Sequence, residues 1–460
     1  MELLIIPSIT AILALTCEMI DKPKAAWSVT LLGLIATLVA LALTWGETES
    51  YFSNMFVIDA YSQAFIGVIV FIALLLVLLG QRFLQSYEVH HPEVYALLLF
   101  SLVGGIAMLG FGNLTMLFLG LELLSIPMYV LAGSDKRNLL SNEASLKYFL
   151  MGAFASSFLL FGITLIYGAS GTFDLVELSR YVGANTTSLP ALFSAGIVLL
   201  LIAFSFKVSA APFHFWAPDV YDGSPTMVTM FMATIVKIAA FGTFLKLFSL
   251  AFFPIAPSYA LILAVLAALT MTVGNLSAIF QNSFKRMMAY SGVAHAGYLL
   301  LGLLVANKAA NSAVLFYGMS YGIATITAFS VLLLVYYSTN SEDSEAFKGL
   351  AKRNPLLAIA ATIAMLSLAG IPPTAGFFGK YYLFSLTIGS GYVWLAVVGI
   401  LNSLISVYYY LRIVIYMYTG EDKNTEALEI PRLYSLVIGI CTILAVLFGL
   451  MPSLLMDILG

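Results

Sequence analysis

Five acidic or lysine side chains fall well inside hydrophobic stretches of the sequence, where a charge is costly. They are Glu122, Lys147, Lys207, Lys237 and Lys380. A charged side chain at the centre of a bilayer costs about 2.5–3.5 kcal/mol on translocon-based scales, so such residues often mark ion or proton pathways. Burial disfavours the charged form of a lysine, and a nearby carboxylate favours it. A Lys/Glu pair that opens and closes can therefore change its protonation, which suits a proton relay better than a site for a bulky substrate.

Glu122, Lys207 and Lys237 are expected near the middle of their helices, and the order Glu122, Lys207, Lys237, Lys380 predicts a lateral polar line through a bundle. Lys380 comes late in its hydrophobic stretch, so we expect it towards the outer side of the membrane. Lys147 stands two or three residues into its predicted helix. Extension of its side chain to the surface explains that position as well as a place in the relay does.

Two hydrophobic stretches contain helix-breaking residues near one of these lysines. Pro212 follows Lys207 and cannot donate a backbone hydrogen bond, so the helix should kink or unwind just after Lys207. The stretch before Lys380 contains Gly370, Pro372, Pro373 and Gly376. Interrupted spans at corresponding places in two halves of a transporter point to its ion site. A purely structural kink is the alternative.

Two histidines are secondary candidates. His295 lies in the middle of a hydrophobic stretch and would bridge the gap before Lys380, although a hydrogen-bonded packing role fits it equally well. His214 follows Lys207 by seven residues, which places both on one face if the helix continues.

The composition excludes a soluble protein. Of the 460 residues, 61% are hydrophobic and only 9% are charged, against about 25% charged in ordinary soluble domains. The mean hydropathy of +1.01 agrees with a protein that crosses the membrane many times. A net charge of −3 gives no sign of a nucleic-acid partner.

Cofactor chemistry is expected outside this chain. The two cysteines, Cys17 and Cys441, cannot supply the four ligands that an iron–sulfur cluster usually takes. Four histidines offer little for haem, although their number alone does not exclude bis-histidine ligation. No glycine-rich nucleotide motif follows a strand. We therefore expect neither a cofactor nor a metal in this chain.

The hydrophobic pattern predicts an all-α fold with about fourteen transmembrane helices, since each span needs about 20 apolar residues. The spans are roughly 3–20, 26–45, 58–80, 94–110, 114–132, 145–168, 191–217, 226–249, 258–280, 286–305, 312–337, 356–386, 392–417 and 433–456. The longest polar stretches between them, 339–354, 169–189 and 420–432, are of loop size. The chain is therefore predicted to be a single transmembrane domain.

The basic residues orient this bundle. With the N-terminus outside, the inside loops hold Lys22, Lys24, Arg82, Lys136, Arg137, Lys285, Arg286, Lys348, Lys352, Arg353, Lys423 and Arg432. The outside loops hold Arg180 and Lys308, with Lys246 at a helix end. By the positive-inside rule, both termini should face the outside.

The two interrupted spans, 7 and 12, are five helices apart. This spacing predicts two five-helix repeats, spans 4–8 and 9–13, with opposite orientation because five is odd. The predicted domain contains three N-terminal helices (1–93), the first repeat (94–250), the second repeat (258–418) and a last helix (432–460).

With these residues and breaks, the chain resembles the antiporter-like membrane subunits of respiratory complex I and of Mrp-type cation/proton antiporters. Within that superfamily it is most similar to the subunit N family of bacterial NADH–quinone oxidoreductase. The matching stretches are LGLELLSIPMY (119–129), KVSAAPFHFWAPDVY (207–221), Pro225-Thr226 with Lys237, KRMMAYS (285–291) with His295, and GIPPTAGFFGK (370–380). They lie in spans 5 to 12.

The resemblance implies a proton-translocating module of a membrane arm, in a bacterial inner membrane. It implies that Glu122 and Lys207 form a switching pair, that Lys237 is the central relay, and that Lys380 controls exit to the outside. Lys147 would modulate Lys207. NADH, flavin, iron–sulfur clusters and quinone would bind partner subunits, which would include homologous antiporter-like subunits.

Four other functions stay open. The chain could belong to an Mrp-type Na⁺/H⁺ antiporter or to a related complex that uses ferredoxin or F420H₂. A structural scaffold would leave the charges in the middle of the spans unexplained. A solute permease would require a broad polar cavity, whereas the sequence offers a chain of single charges.

Overall fold

The computed structural model describes residues 1–20, 22–86, 93–419 and 428–459, and its secondary structure is predominantly helical. All fourteen predicted spans coincide with helical segments, so the prediction of an all-α membrane protein is confirmed. Lys423, one of the basic residues used for orientation, lies outside the described residues.

The helix bounds follow the predicted spans closely. Spans 1 to 6 are α1 (Glu2–Met19), α2 (Pro23–Leu43), α3 (Ala60–Ser86), α4 (Glu93–Leu109), α5 (Leu114–Ala132) and α6 (Leu139–Ser170). A short helix α7 (Leu175–Ala184) precedes span 7, which consists of α8 (Ala191–Lys207) and α9 (Trp216–Gly223). Span 8 contains α10 (Thr226–Phe231), a π-helical turn (Met232–Val236), α11 (Lys237–Leu247) and a second π-helical turn (Phe248–Phe252).

The second half begins with a 3₁₀ turn (Phe253–Ile255) and spans 9 to 11, which are α12 (Ala256–Ile279), α13 (Phe284–Val305) and α14 (Lys308–Thr339). A 3₁₀ turn (Ser344–Phe347) and α15 (Leu350–Arg353) precede span 12, which consists of α16 (Pro355–Ala369) and α17 (Ala375–Gly389). The chain continues with α18 (Val393–Thr419), α19 (Arg432–Leu450), α20 (Ser453–Met456) and a 3₁₀ turn (Asp457–Leu459).

Short elements occur where the sequence analysis expected only loops. Strands β1 (Glu49–Tyr51) and β2 (Phe56–Ile58) form an antiparallel hairpin between α2 and α3. The stretch 169–189 contains α7, whose N-terminus is capped by the Asp174 carboxylate. Such a cap satisfies backbone N–H groups that a helix leaves free. These elements were missed because they are much shorter than a membrane span.

Helix α14 lies at the centre of the bundle. Every residue in its most apolar stretch is buried, whereas α1, α2 and α6 expose large apolar side chains such as Leu32 and Phe154. Apolar exposure of this kind is normal on a face turned towards lipid. Lys237, His295 and Lys380 therefore lie on or against α13 and α14, whereas Lys207 lies between α8 and α5.

Two close helix contacts recur with a constant separation along the chain. A Cβ atom on Gly104 of α4 would lie 2.1 Å from the Leu124 backbone nitrogen of α5. A Cβ atom on Gly274 of α12 would lie 2.5 Å from the Ala294 nitrogen of α13. Gly274 and Ala294 follow Gly104 and Leu124 by 170 residues each. Small residues at such contacts let membrane helices approach closely.

A pair of isolated backbone bridges repeats in the same way. Asn113, which caps α5, pairs with Asp174, and Ser283, which caps α13, pairs with Asp343. Both bridges join the start of a repeat's second helix to the connection before its broken helix. These equivalences agree with the predicted pairing of spans 4–8 with spans 9–13, whereas the predicted domain limits stay a prediction.

Candidate functional site

Span 7 is broken immediately after Lys207, as the sequence predicts. Lys207 is the last residue of α8, and Ser209 takes a φ of +62°, which a continuing helix cannot accommodate. The chain resumes a helix only at Trp216. The break leaves the Lys207 side chain buried, and its ammonium donates a hydrogen bond of 2.6 Å to the Ser125 hydroxyl.

Glu122 lies one helical turn before Ser125 on α5. Its Oε1 is buried and finds no hydrogen-bond partner in the described part of the chain, and the carboxylate is close enough to interact electrostatically with Lys207. Within the described residues, the Lys207 ammonium contacts the Ser125 hydroxyl and does not form an ion pair with Glu122. The structure therefore places the two predicted partners near each other, and the Lys207 ammonium contacts Ser125 instead of Glu122.

A small cavity borders Ser125 and Lys207. Its volume is about 10 Å³, and its polar lining comes from Ser125, Tyr129, Ser156 and Lys207. A polar cavity of roughly this size holds about one water molecule. The Lys207 ammonium therefore has room for one small proton acceptor beside Ser125, but not for a substrate.

Lys237 begins α11, directly after a π-helical turn. Single π-helical turns often occur at functional sites, because they change the direction of the following side chain. The Lys237 ammonium is buried and donates a hydrogen bond of 2.6 Å to the Gly292 carbonyl oxygen of α13. It also lies 5.7 Å from the ring centre of Tyr321. Lys237 thus extends from the first predicted repeat onto a helix of the second.

His295 lies one turn after Gly292 and is held by tyrosines on both sides. Its Nδ1 lies 2.6 Å from the Tyr317 hydroxyl, and its Nε2 lies 3.1 Å from the Tyr410 hydroxyl. The Tyr410 hydroxyl also contacts the Ser291 hydroxyl. Each of these groups can both donate and accept a proton, so the arrangement can pass protons as well as position the ring.

Lys380 lies at the other end of the predicted polar line. Its ammonium donates to the Leu368 and Ala369 carbonyl oxygens at 3.1 and 2.9 Å and to the Ser403 hydroxyl at 3.0 Å. It also lies 4.7 Å from the ring centre of Tyr298. The two carbonyls end α16, where Gly370 caps the helix with a φ of +81°. The predicted break in span 12 is confirmed, and the break exposes acceptors for this lysine.

The ammonium of Lys380 lies at the break, whereas the sequence analysis expected it towards the outer side. Helical side chains tilt towards the N-terminus of their helix, so Lys380 points back from the second turn of α17 to the end of α16. This brings its charge to the middle of span 12.

The structure joins the predicted residues into two groups. One contains Glu122 and Lys207. In the other, aromatic rings connect Lys237 to Lys380, because ring centres are 4.8 Å apart for Tyr321 and His295 and 5.9 Å apart for His295 and Tyr298. No direct contact between the two groups is found in the part of the chain that the structure describes.

Lys147 and His214 lie apart from this line. Helix α6 begins at Leu139, six residues earlier than predicted, so Lys147 is farther from the helix start than expected and its side chain is 40% exposed. The Lys147 ammonium forms ion pairs of 2.7 Å with Glu143 and with Asp219. The helix does not continue after Lys207, so the condition under which His214 would share its face is not met. His214 is buried in the break, and its Nδ1 has no hydrogen-bond partner within the residues that the structure describes.

Several buried polar residues were not predicted from the sequence. Lys246 and Lys285, expected at a helix end and in a loop, are both buried. Lys285 donates to the Ser224 carbonyl oxygen at 2.8 Å. Hydroxyl groups inside spans were a signal that could have been used, and they include Ser125, Tyr298, Tyr317, Tyr321, Ser403 and Tyr410. Their types alone do not distinguish packing from proton transfer.

The described residues contain no group of three or more histidine, cysteine, aspartate or glutamate side chains that could hold a metal ion. The polar centre consists instead of single ammonium groups, hydroxyl groups, the Glu122 carboxylate and the His295 imidazole.

Comparison with known proteins identifies the family. The family model described as NADH:quinone oxidoreductase/Mrp antiporter, TM, matches residues 112–406. The chain is 43% identical over 459 residues to NADH-quinone oxidoreductase subunit N of Cytophaga hutchinsonii, covering 100% of this chain and 99% of that relative. It is 42% identical over 444 residues to the protein of the same name from Trichlorobacter lovleyi, covering 95% of this chain and 90% of that relative.

Solved structures agree with this assignment. A chain of respiratory complex I from Thermus thermophilus with bound aureothin has a TM-score of 0.85 and 35% identity, covering 100% of this chain and 99% of that chain. A chain of the Mrp complex from Dietzia sp. DQ12-45-1b has a TM-score of 0.90 at 21% identity, covering 100% and 96%, which is a likeness of fold alone. The protein is therefore a multi-pass membrane protein that belongs to the NADH:quinone oxidoreductase/Mrp antiporter membrane family.

Proposed function

We propose that this chain is a proton-translocating subunit in the membrane arm of a NADH–quinone oxidoreductase. The observation that carries the proposal is the set of buried ammonium groups on Lys207, Lys237 and Lys380. Each is held by neutral oxygen acceptors, and none forms an ion pair within the described residues. A buried lysine without a carboxylate partner gives up its proton more easily than a paired one, as a relay requires.

Glu122 and Lys207 act as the switch in this proposal. The Lys207 ammonium donates to the Ser125 hydroxyl, while Oε1 of Glu122 is buried without a hydrogen-bond partner among the described residues. Movement of the ammonium towards Glu122 would favour its protonated form, and return to Ser125 would favour proton release. The small cavity beside Ser125 would hold the water that receives this proton. Lys147 would influence the switch only indirectly, because its own partners are Glu143 and Asp219.

Transfer then continues from Lys237 to Lys380. His295, with Tyr317 and Tyr410 at hydrogen-bond distance, is the connecting group. Lys380 would control release to the outside. The step from Lys207 to Lys237 would require water molecules or a side-chain movement, and His214, buried in the break after Lys207, is a secondary candidate there.

The proposed setting is a bacterial inner membrane, with both termini on the outer, periplasmic side. The repeats, 94–250 and 258–418, would then cross the membrane in opposite directions, flanked by 1–93 and 432–460. The chain would pack against other membrane subunits, including homologous antiporter-like ones. The NADH, flavin, iron–sulfur clusters and quinone of the reaction would bind partner subunits.

Substitution of the switch tests this function. We expect Lys207→Ala and Glu122→Ala to lose NADH-driven proton pumping in membrane vesicles while the complex still assembles. Lys136→Ala, an exposed lysine on the predicted inner side, is the matched control and should pump normally. Normal pumping by an assembled complex with either switch variant would overturn the proposal.

The chief alternative is an Mrp-type Na⁺/H⁺ antiporter, since that complex has a chain of the same fold. Co-purification separates the two, because soluble iron–sulfur subunits would accompany only the oxidoreductase subunit. Antiport by vesicles that lack NADH dehydrogenase activity would favour the Mrp-type alternative. For a related ferredoxin or F420H₂ complex, the same antiport test applies to vesicles in which that NADH dehydrogenase activity is absent.

A further inference from the structure

We propose that Lys246 and Arg412 are a matched pair of positioning residues, one in each repeat, which fix the rotation of the helices that bring Lys237 and Ser403 into the relay. The inference rests on the proposed function, because it concerns the placement of two groups in the proposed proton path. Neither cation touches that path, so neither is a catalytic residue.

Lys246 fastens α11 to the ends of two neighbouring helices. Its side chain is only 4% exposed. The ammonium donates to the Leu109 carbonyl oxygen, which ends α4, at 3.2 Å and to the Ser62 hydroxyl of α3 at 2.9 Å. The Asp59 carboxylate, which caps α3 through Ser62, lies 3.6 Å away. A cation at a helix C-terminus is stabilised by the free carbonyls and the helix dipole.

Arg412 fastens α18 in a corresponding way. Its guanidinium donates to the Ile279 carbonyl oxygen at 3.2 Å and to the Gln281 carbonyl oxygen at 2.6 Å. Ile279 is the last residue of α12, just as Leu109 is the last residue of α4. In each repeat, the fifth helix therefore places a cation on the C-terminus of the first.

The relay group has the same spacing from the cation in both helices. Lys237 precedes Lys246 by nine residues, and Ser403 precedes Arg412 by nine residues. Nine residues turn an α-helix by about two and a half turns, so the two groups in each helix point to opposite sides. Lys237 accordingly contacts α13 while Lys246 contacts α3 and α4. Ser403 likewise accepts from Lys380 while Arg412 contacts the end of α12.

This arrangement can transmit a rotation of the helix to the relay. In span 8, π-helical turns lie directly before and after α11, so the regular helix is only Lys237–Leu247. Lys237 begins it and Lys246 stands at its last turn. A cation fixed on one side of such a short segment sets where the opposite side points. Loss of that cation frees α11 to turn and moves the Lys237 ammonium away from the Gly292 carbonyl.

The two cations differ in a way that sharpens the test. Lys246 has the Asp59 carboxylate within ion-pair distance, whereas the Arg412 guanidinium donates to the backbone carbonyls of Ile279 and Gln281. Asp59→Asn therefore weakens the ionic contact between Lys246 and position 59, while the hydrogen bonds of Lys246 to Ser62 and Leu109 stay in place. It provides a mild variant for which loss of folding is not the expected outcome.

The experiment compares proton pumping and its pH profile in the whole membrane complex. The variants are Lys246→Met, Lys246→Arg, Asp59→Asn and Arg412→Met, with Lys308→Met, an exposed lysine on the predicted outer side, as control. Lys237→Met is measured in parallel. We expect Lys246→Met and Arg412→Met to assemble and to pump at least about tenfold more slowly, because a displacement of about 1 Å can cost on the order of 100-fold.

The conservative variant Lys246→Arg should restore most of the rate, and Asp59→Asn should lose a few-fold. Lys246→Met should also shift the pH profile of pumping, which Lys308→Met should leave unchanged. If Lys246→Met pumps at the wild-type rate with an unchanged profile, positioning is wrong. If Lys246→Met prevents assembly, Asp59→Asn decides the question. A wild-type pumping rate and pH profile in Asp59→Asn would overturn the positioning role, and a few-fold loss of rate would support it.

Lys237→Met separates this failure from failure of the proposed function. Normal pumping by that variant would mean that the relay itself is wrong. Loss of pumping in Lys237→Met, with wild-type behaviour in Lys246→Met, would mean that only the positioning role is wrong.

Discussion

The ammonium of Lys380 lies 2.9 Å from the carbonyl oxygen of Ala369, the last residue of the helix that precedes the break in span 12. The break thus supplies the acceptors for the charge that the sequence places near it. Free carbonyls at a helix C-terminus attract cations, so helix end and lysine stabilise each other within a hydrophobic bundle.

The first prediction concerns this contact. Lys380→Met should lower the rate of proton pumping at least about tenfold, because it removes the proposed last proton carrier. It also removes a charged hydrogen-bond donor worth roughly 1.5–3 kcal/mol. NADH-driven acidification in vesicles measures the effect, with Lys352→Met as the control. Unchanged pumping would remove Lys380 from the relay.

A second prediction tests the resting place of Lys207. Ser125→Ala removes the acceptor at 2.6 Å and leaves a buried ammonium short of a hydrogen bond, so we expect a several-fold slower rate with a shifted pH profile. Ser157→Ala on the exposed face of α6 is the matched control. An effect of equal size in both variants would argue against a specific role for Ser125.

The packing around Lys237 gives a third prediction. A Cβ atom at position 292 would lie 3.1 Å from the Lys237 ammonium and 3.2 Å from the Tyr321 hydroxyl. Gly292→Ala should therefore displace the ammonium and slow pumping while the complex still assembles. Gly439→Ala, where a Cβ atom would meet nothing within 4 Å, should pump normally. Wild-type pumping by Gly292→Ala would show that this placement is not critical.

His295 gives a fourth prediction. His295→Phe keeps an aromatic ring but removes both nitrogen atoms, so transfer between Lys237 and Lys380 should slow at least several-fold. Tyr410→Phe removes the hydroxyl at 3.1 Å and should have a smaller effect. Pumping rates of the two variants, compared in the same vesicles, check this order. A packing role alone would leave His295→Phe close to wild type.

A fifth prediction concerns Asp219, which joins three helices through ion pairs of 2.7 Å with Lys147 and 2.8 Å with Arg286. These side chains are about one-third exposed, and exposed ion pairs contribute little, roughly 0–1 kcal/mol. Asp219→Asn should therefore lower the thermal midpoint of the complex by only a few degrees. A similar change in Glu345→Gln, which loses one highly exposed pair, would indicate a general charge effect.

The sequence by itself determined the class of the protein, its spans and the positions of its two breaks. These follow from local chemistry, because a bilayer demands long apolar helices and proline cannot donate a backbone hydrogen bond. The same reasoning singled out Glu122, Lys207, Lys237 and Lys380, since charge inside an apolar span is costly wherever the helices pack.

Only the tertiary structure decided what these charges touch. Ser125, the acceptor for Lys207, comes from another helix. The Ala369 carbonyl, an acceptor for Lys380, comes from the far side of the break in span 12. Lys246 shows the limit most clearly, because the sequence places it only at a helix end, whereas the structure buries it against the ends of α3 and α4. Contacts between helices depend on their relative rotation and spacing, and hydrophobic periodicity within one helix does not encode either of these.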